Sequence, residues 1–166
     1  IHNNNENALL IACLNQNINI ISLLLNMGCN YRIALSSTSL GLPEVKLGII
    51  PGAGGTQRLP RLAGIEKALS MITSGTPINA KDALEFEIID KVCEEALLEN
   101  AISFIKEKLD LDNHPVVSKL QEKVSNINNE VFEIFSKKIE AKYRGRKSPQ
   151  CAIEAVKATV TLGFSQ

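Results

Sequence analysis

Apolar positions change their spacing several times along this chain, and each change marks an element. Residues 1–7, IHNNNEN, are polar and turn-like. From Ala8 onward Leu9, Ala12 and Cys13 recur at helical spacing, until Asn15, Gln16 and Asn17 interrupt them. Ile18, Ile21, Leu24 and Leu25 then share one face of a second short helix, with Gly28 placed as its left-handed C-terminal residue. The stretch YRIALSSTSLG turns to β-branched and small residues and predicts strands over residues 31–34 and near Ser39–Leu40. Past the turn Pro51-Gly52-Ala53-Gly54-Gly55, a helix is expected from about Thr56 to Gly64. IEKALSMITSG follows as an amphipathic helix closed by Gly75. Asn79 caps the next helix, which leads into a strand over residues 88–92. EEALLENAISFIKEKLD is helical, with Leu97, Leu98, Ala101, Ile102 and Ile105 along one stripe.

His114-Pro115 breaks that pattern. A longer helix is expected from Ser118 or Asn128 to Tyr143, and a last one to about Leu162, with Ser148 as N-cap and Pro149 at its first position. Helices outnumber strands and the strands alternate with helices, which predicts an α/β layout with a heavily helical C-terminal third.

Composition narrows the function classes. The 166 residues are 45% apolar and 22% charged with a formal net charge of zero, as expected of one soluble domain or of one domain with a small appendage. Balanced charge gives no electrostatic reason to expect nucleic acid or an anionic membrane as partner. The longest aliphatic run, residues 20–25 broken by Ser22, is far too short for a bilayer span. Cys13, Cys29, Cys93 and Cys151 are scattered without a CxxC or a histidine cluster, so no metal is expected and the thiols read as reduced and intracellular. His2 and His114 have no partner spacing for catalysis. The basic residues of segment 137–147 read as a solvated helix end. The chain opens on Ile1 rather than methionine, as expected of a piece of a longer product.

Two resemblances can be stated on these residues. NALLIACLNQNINIISLLLNMGCN, with its two short helices, Leu23-Leu24-Leu25 and closing Gly28, resembles an ankyrin repeat. It departs from that family at Leu10 and Gln16. A single repeat should not be stable alone. From Tyr31 onward, YRIA, LGLPEVKLGIIPGAGGTQRLPRLAG and ITSGTPINAKDALEFEIIDKV resemble the enoyl-CoA hydratase/isomerase (crotonase) family. EAKYRGRKSPQCAIEAVKAT is similar to the segment after the hydratase domain in multifunctional β-oxidation enzymes. Together they imply an ankyrin-like helix pair over residues 1–30, a partial crotonase-like core (the C-terminal part of its ββα spiral) over 31–110, and a helical C-terminal extension over 111–166. The join is expected to be chimeric.

The crotonase resemblance implies a chemistry. In that family two backbone N–H groups hold a thioester oxygen and two glutamates serve as acid and base. Glu44, in LPEV, stands where the second glutamate is expected, with Leu42, Pro51 and Gly52 around the substrate. Gly52, lacking a side chain, would let backbone approach the acyl chain closely. The family's register puts its glycine triplet on Ile20-Ile21-Ser22 and its first glutamate on Leu24, so half of the site departs from the pattern. Keeping the second carboxylate alone is similar to the family's isomerases, which shuttle one proton. Weak or no hydratase activity is therefore expected of this chain alone. No separate cofactor is implied, since coenzyme A is part of the substrate. The expected partner is an acyl-CoA thioester, and the compartment peroxisome or cytoplasm. The competing expectation is a protein-docking module working through the N-terminal helices, or an inactive product of a chimeric gene. The family also tends to place glycine in the turn after DALE, where this chain carries Glu87; a non-glycine in a left-handed turn costs about 1 kcal/mol.

Overall fold

In the computed structural model of the protein, the structure describes the backbone of residues 11–14 together with residues 28–111 and 113–164. The first strand is β1, Ile11–Leu14. It pairs in parallel with β2, Tyr31–Leu35, with Ile11 opposite Tyr31 and Leu14 opposite Ala34. β2 pairs in parallel with β5, Lys91–Cys93, with Ile33 opposite Lys91. The sheet order is thus β1-β2-β5.

This corrects the first expected helix. The run LLIACL is continuous and apolar, and such a run is equally compatible with a helix and with a strand inside a parallel sheet. Pairing with β2 decides it as a strand. The expected second helix over residues 18–27 lies outside the described residues.

A second, two-stranded antiparallel sheet joins β3, Ser39–Leu40, to β4, Ile78–Asn79. Between these strands run a 3-10 turn, Pro43–Leu47, then α1, Gly55–Ala63, and α2, Ile65–Ser74. α3, Ala80–Glu85, follows β4 and is capped as expected, the Asp82 N–H donating to Asn79 Oδ1 at 2.8 Å. After β5 come α4, Leu97–Lys108, a short 3-10 turn at Val117–Lys119, α5, Glu130–Lys142, and α6, Lys147–Thr161.

Alternation along β2 gives the sheet two faces. Tyr31 and Ile33 pack with Ala101 and Phe104 of α4. Ala34 belongs to the larger core built with α1, α2, α5 and α6. The inward stripe of α4 is therefore Ala101 and Phe104, flanked by Leu97; Leu98 and Ile102, expected on it, are exposed. The helix buries the face that meets the strands, and two adjacent leucines point some 100° apart around it.

Arg32, also on β2, is 5% exposed. It donates from Nε to Ile88 O at 2.6 Å and from Nη1 to Cys29 O at 2.9 Å, and its Nη2 lies 3.4 Å from Asp90 Oδ2. The Arg32 N–H also donates to Asp90 Oδ2 at 2.7 Å. Burial lowers the guanidinium's pKa, opposed by the Asp90 charge. Burial raises the Asp90 carboxyl, opposed by Arg32.

This knot displaces the predicted strand. Ile88 and Ile89 are both buried rather than alternating, and their N–H groups both bond Ala83 O, closing the end of α3. Glu87 adopts φ +58, the left-handed turn expected of that position. The ladder therefore begins only at Asp90, whose N–H donates to Arg32 O.

α6 lies across α1 and α2, and α5 packs on α6. Ser148 does not cap α6. Arg146 holds that position without a side-chain bond, while the Ser148 hydroxyl donates to Val45 O at 3.1 Å. A second tie answers a proline. Pro60 lies inside α1 and has no N–H for the carbonyl of Thr56, four residues back. The buried Thr159 hydroxyl sits 3.3 Å from that carbonyl and 3.1 Å from Gln57 Oε1. Gln57 Nε2 in turn donates to Ala155 O at 2.7 Å.

Candidate functional site

Proline starts the 3-10 turn that carries Glu44, and Gly48, at φ +83, ends it. Pro43 presets φ at the first position without forfeiting a bond, because a helical N-terminus has no partner for that N–H anyway. The turn is held on several sides. The buried Val45 points into the core, and its carbonyl is taken by Ser148. Gly75, at the end of α2, comes so near that a methyl group there would lie 3.2 Å from Pro43 Cα and 3.2 Å from Lys46 Cγ. Upstream, Gly41 lets the chain pass Pro77, where an added Cβ would stand 2.9 Å from Pro77 Cα. These contacts fix the main chain under Glu44 to the helical core.

The Glu44 side chain is half-buried, and its Oε2 atom is fully buried without a hydrogen-bond partner. Its backbone carbonyl accepts from the Ile49 N–H at 3.3 Å, folding the following segment back over the turn. That segment is apolar yet open: Leu47 is 78% exposed and Ile49 57% exposed.

Leu42 and Pro51 are buried and converge on Gly55. A Cβ at Gly55 would meet Pro51 Cβ at 3.1 Å and Leu42 Cδ1 at 3.5 Å, so the absent side chain is what lets the two close against the start of α1. Gly52 is exposed, and a methyl added there would meet nothing within 4 Å. No atom of the described chain requires glycine at 52. Of the sequence-predicted residues, Leu42 and Pro51 thus meet at Gly55, Glu44 lies in the 3-10 turn that follows Leu42, and Gly52 is exposed. Ile20, Ile21, Ser22 and Leu24 lie outside the described residues.

Sequence reasoning missed the supports. Ser148 is a hydroxyl more than a hundred residues from the turn, and SP at a helix start reads as a cap. His114, assigned no role, has its Nδ1 3.3 Å from the Tyr31 hydroxyl, and the neighbouring Pro115 O accepts from Asn30 Nδ2 at 2.9 Å. Among the described residues no group of three or more His, Cys, Asp or Glu is placed to hold a metal, and no helix is long and apolar enough to cross a membrane.

The sequence model described as Enoyl-CoA hydratase/isomerase matches residues 5–155, so it reaches across β1 and leaves the ankyrin-like reading of the N-terminal segment without support. The peroxisomal bifunctional enzyme of Cavia porcellus is 42% identical over 140 residues, 82% of this chain and 19% of that protein. The fatty acid oxidation complex subunit alpha of Shewanella loihica is 40% identical over 147 residues, 84% of this chain and 21% of that one. Among solved structures, an enoyl-CoA hydratase from Bacillus anthracis superposes with TM-score 0.52 at 29% identity, covering 92% of this chain and 52% of that chain. The chain thus spans about half the length of that structure and about a fifth of those two curated relatives. On the match over residues 5–155, the chain belongs to the enoyl-CoA hydratase/isomerase family.

Proposed function

We propose that this chain supplies Glu44 as the acid/base carboxylate of a site acting on 2- or 3-enoyl-CoA thioesters in fatty-acid β-oxidation. Coenzyme A enters as part of the substrate. The supporting observation is the Glu44 Oε2 atom, buried and without a partner. Leaving such an oxygen unbonded costs stability, and folded proteins rarely do so without a functional reason. A carbon acid brought by substrate gives that oxygen its missing partner.

The surroundings suit that role. Leu42 and Pro51 form the backing wall, the exposed Leu47 and Ile49 offer apolar surface to an acyl chain, and Gly52 leaves the edge open. With one carboxylate, the chemistry within reach is a proton shuttle. Glu44 takes a proton from C2 of a 3-enoyl thioester, electron density shifts along the chain, and the proton returns at C4, leaving the double bond at C2. Such general acid/base assistance contributes about 100- to 10,000-fold. Hydration needs an activated water in addition, so weak or no hydratase activity is expected of this chain alone. Relatives named for the peroxisome support a peroxisomal setting, and bacterial relatives a cytoplasmic one.

The docking alternative rested on an N-terminal helix pair, and its first helix is a sheet strand, so no observation favours it. The test is proton exchange. With a 3-enoyl-CoA in heavy water, the double bond should move to C2 and deuterium should enter C4 as far as the Glu44 proton exchanges with solvent, and Glu44→Gln should slow the migration about 100-fold or more. Equal rates in the two proteins would overturn the assignment. Robust hydration of crotonyl-CoA by this chain, lost in Glu44→Gln, would replace the isomerase-like reading with a full hydratase.

A further inference from the structure

Among the described residues, large apolar side chains exposed to water gather mainly in two places. Leu47, Ile49 and Ile50 follow Glu44, and the proposed acyl chain takes up the first two. The other group is Leu98, Ile102, Leu109 and Leu111, along α4 and just past its end. Nothing in the proposed chemistry uses that second group.

Spacing gives α4 two apolar faces. The inner one, Ala101 and Phe104, packs on Tyr31 and Ile33. Leu98, Ile102, Ile105 and Leu109 recur at steps of four, three and four residues, which lines them along one side of the helix, about a quarter-turn from the inner face. Leu109 keeps to that line because its N–H still bonds Ile105 O, at 3.0 Å. Ile105 is half-buried, whereas Leu98 is 64%, Ile102 47% and Leu109 59% exposed. A 4-3-4 repeat of Leu and Ile is the seam by which one helix packs along another.

The flanking charges select the partner. Glu99 and Lys106 stand on the outer flank of the seam, both exposed and neither in an ion pair among the described residues. Lys108, on the sheet side, is engaged with the Tyr31 and Phe104 rings instead. When a second copy of α4 lies antiparallel on the first, Leu98 meets the partner's Leu109 and Ile102 meets the partner's Ile105, and the same contacts recur in reverse. That register also brings Glu99 to the partner's Lys106, twice over. A parallel pairing sets Ala101 beside Lys106 and leaves Glu99 without a cation. One patch thus complements itself about a twofold axis.

We propose that this chain forms a twofold dimer through α4, its stripe of Leu98, Ile102, Ile105 and Leu109 packed antiparallel on the same stripe of a second copy, with Glu99 and Lys106 setting the register. Each copy contributes a single short helix, less surface than a permanent complex buries, so the dimer forms and dissociates with concentration.

Sedimentation equilibrium of the whole chain over a series of concentrations tests this. The expected result is a reversible equilibrium between monomer and dimer. Ile102→Glu, which puts a charge into the seam, should weaken the dimer about tenfold or more. Glu99→Lys and Lys106→Glu should each weaken it too, and the two together should restore it, because the exchanged charges again face their opposites. Those two residues are exposed, so the exchange decides the matter if Ile102→Glu fails to fold. Leu47→Ser, in the other apolar group, should leave the dimer unchanged. A monomer at every concentration would assign the stripe to some other molecule and overturn the proposal. So would an assembly larger than a dimer, a dimer indifferent to Ile102→Glu, a dimer lost with Leu47→Ser, or a double exchange no tighter than the single ones.

Discussion

The hydroxyl of Ser148 donates to the carbonyl of Val45 at 3.1 Å across 103 residues of chain. It fastens the first turn of α6 to the residue after Glu44. The Val45 carbonyl also accepts from the Gly48 N–H at 3.2 Å, so losing the hydroxyl leaves it with a partner and costs about the net worth of one hydrogen bond, about 0.5–1.5 kcal/mol. Ser148→Ala should therefore lower stability by about that amount in urea unfolding. It should also reduce exchange chemistry more than the loss of folded protein accounts for, since the Glu44 turn loses an anchor. A variant as stable and as active as the parent would show that the contact carries neither load.

Thr159, eleven residues further along the same helix, repeats the device on α1. Its hydroxyl lies 3.3 Å from the Thr56 carbonyl, which Pro60 deprives of a helical donor, and shares its one proton between that carbonyl and Gln57 Oε1 at 3.1 Å. Thr159→Val keeps the shape and removes the hydroxyl, so the expected loss is about 1–3 kcal/mol, with no change in secondary structure by circular dichroism. Combining Thr159→Val with Pro60→Ala should recover part of that loss, because alanine restores the N–H that Thr56 lacks. If the double variant is no more stable than Thr159→Val alone, the hydroxyl is not compensating for the proline.

These two ties show where sequence reading reached and where it stopped. Local chemistry was legible. Asn79 as a cap and the helices over Gly55–Ala63 and Ile65–Ser74 follow from residues within a few positions of one another, while the left-handed turn at Glu87 is implied by the crotonase resemblance. The first strand was not legible, because LLIACL carries no period that separates a helix from an interior parallel strand, and only pairing with Tyr31–Leu35 resolves it. Ser148, Thr159 and the Arg32–Asp90 knot were hidden for the same reason: each partner is a backbone atom or a charge set by tertiary approach. Glu44 is singled out through the crotonase resemblance, and its unbonded Oε2 carries no sequence signal.

The Arg32–Asp90 knot gives a pH dependence with a defined sign. Burial raises the folded-state pKa of Asp90 above its ordinary value of 3.8. The folded protein then holds that proton more tightly than the unfolded chain does. The corresponding stability is fully present below pH 3.8 and is lost as pH rises through the raised folded value. Compared with Asp90→Asn, which does not titrate, the parent's stability should decline over that window and level off above it. An unfolding difference between the two proteins that stays flat with pH, or grows as pH rises, would contradict this.

Gly52 and Gly54 are neighbours in the same turn and should behave oppositely. Gly54 has φ +78, and a side chain there would run into the Arg58 guanidinium. Gly54→Ala should therefore cost about 1–2 kcal/mol from the left-handed backbone alone, and more if Arg58 has to move off Phe164. Gly52 lies in open space without a positive φ, so Gly52→Ala should change stability by less than about 0.5 kcal/mol. Its consequence belongs to the ligand. If the acyl chain passes this edge, the added methyl should raise KM for an enoyl-CoA while the melting temperature stays where it was. A Gly52→Ala protein that handles the thioester as the parent does would move the acyl chain away from this turn, and with it the reason for reading Leu42 and Pro51 as its wall.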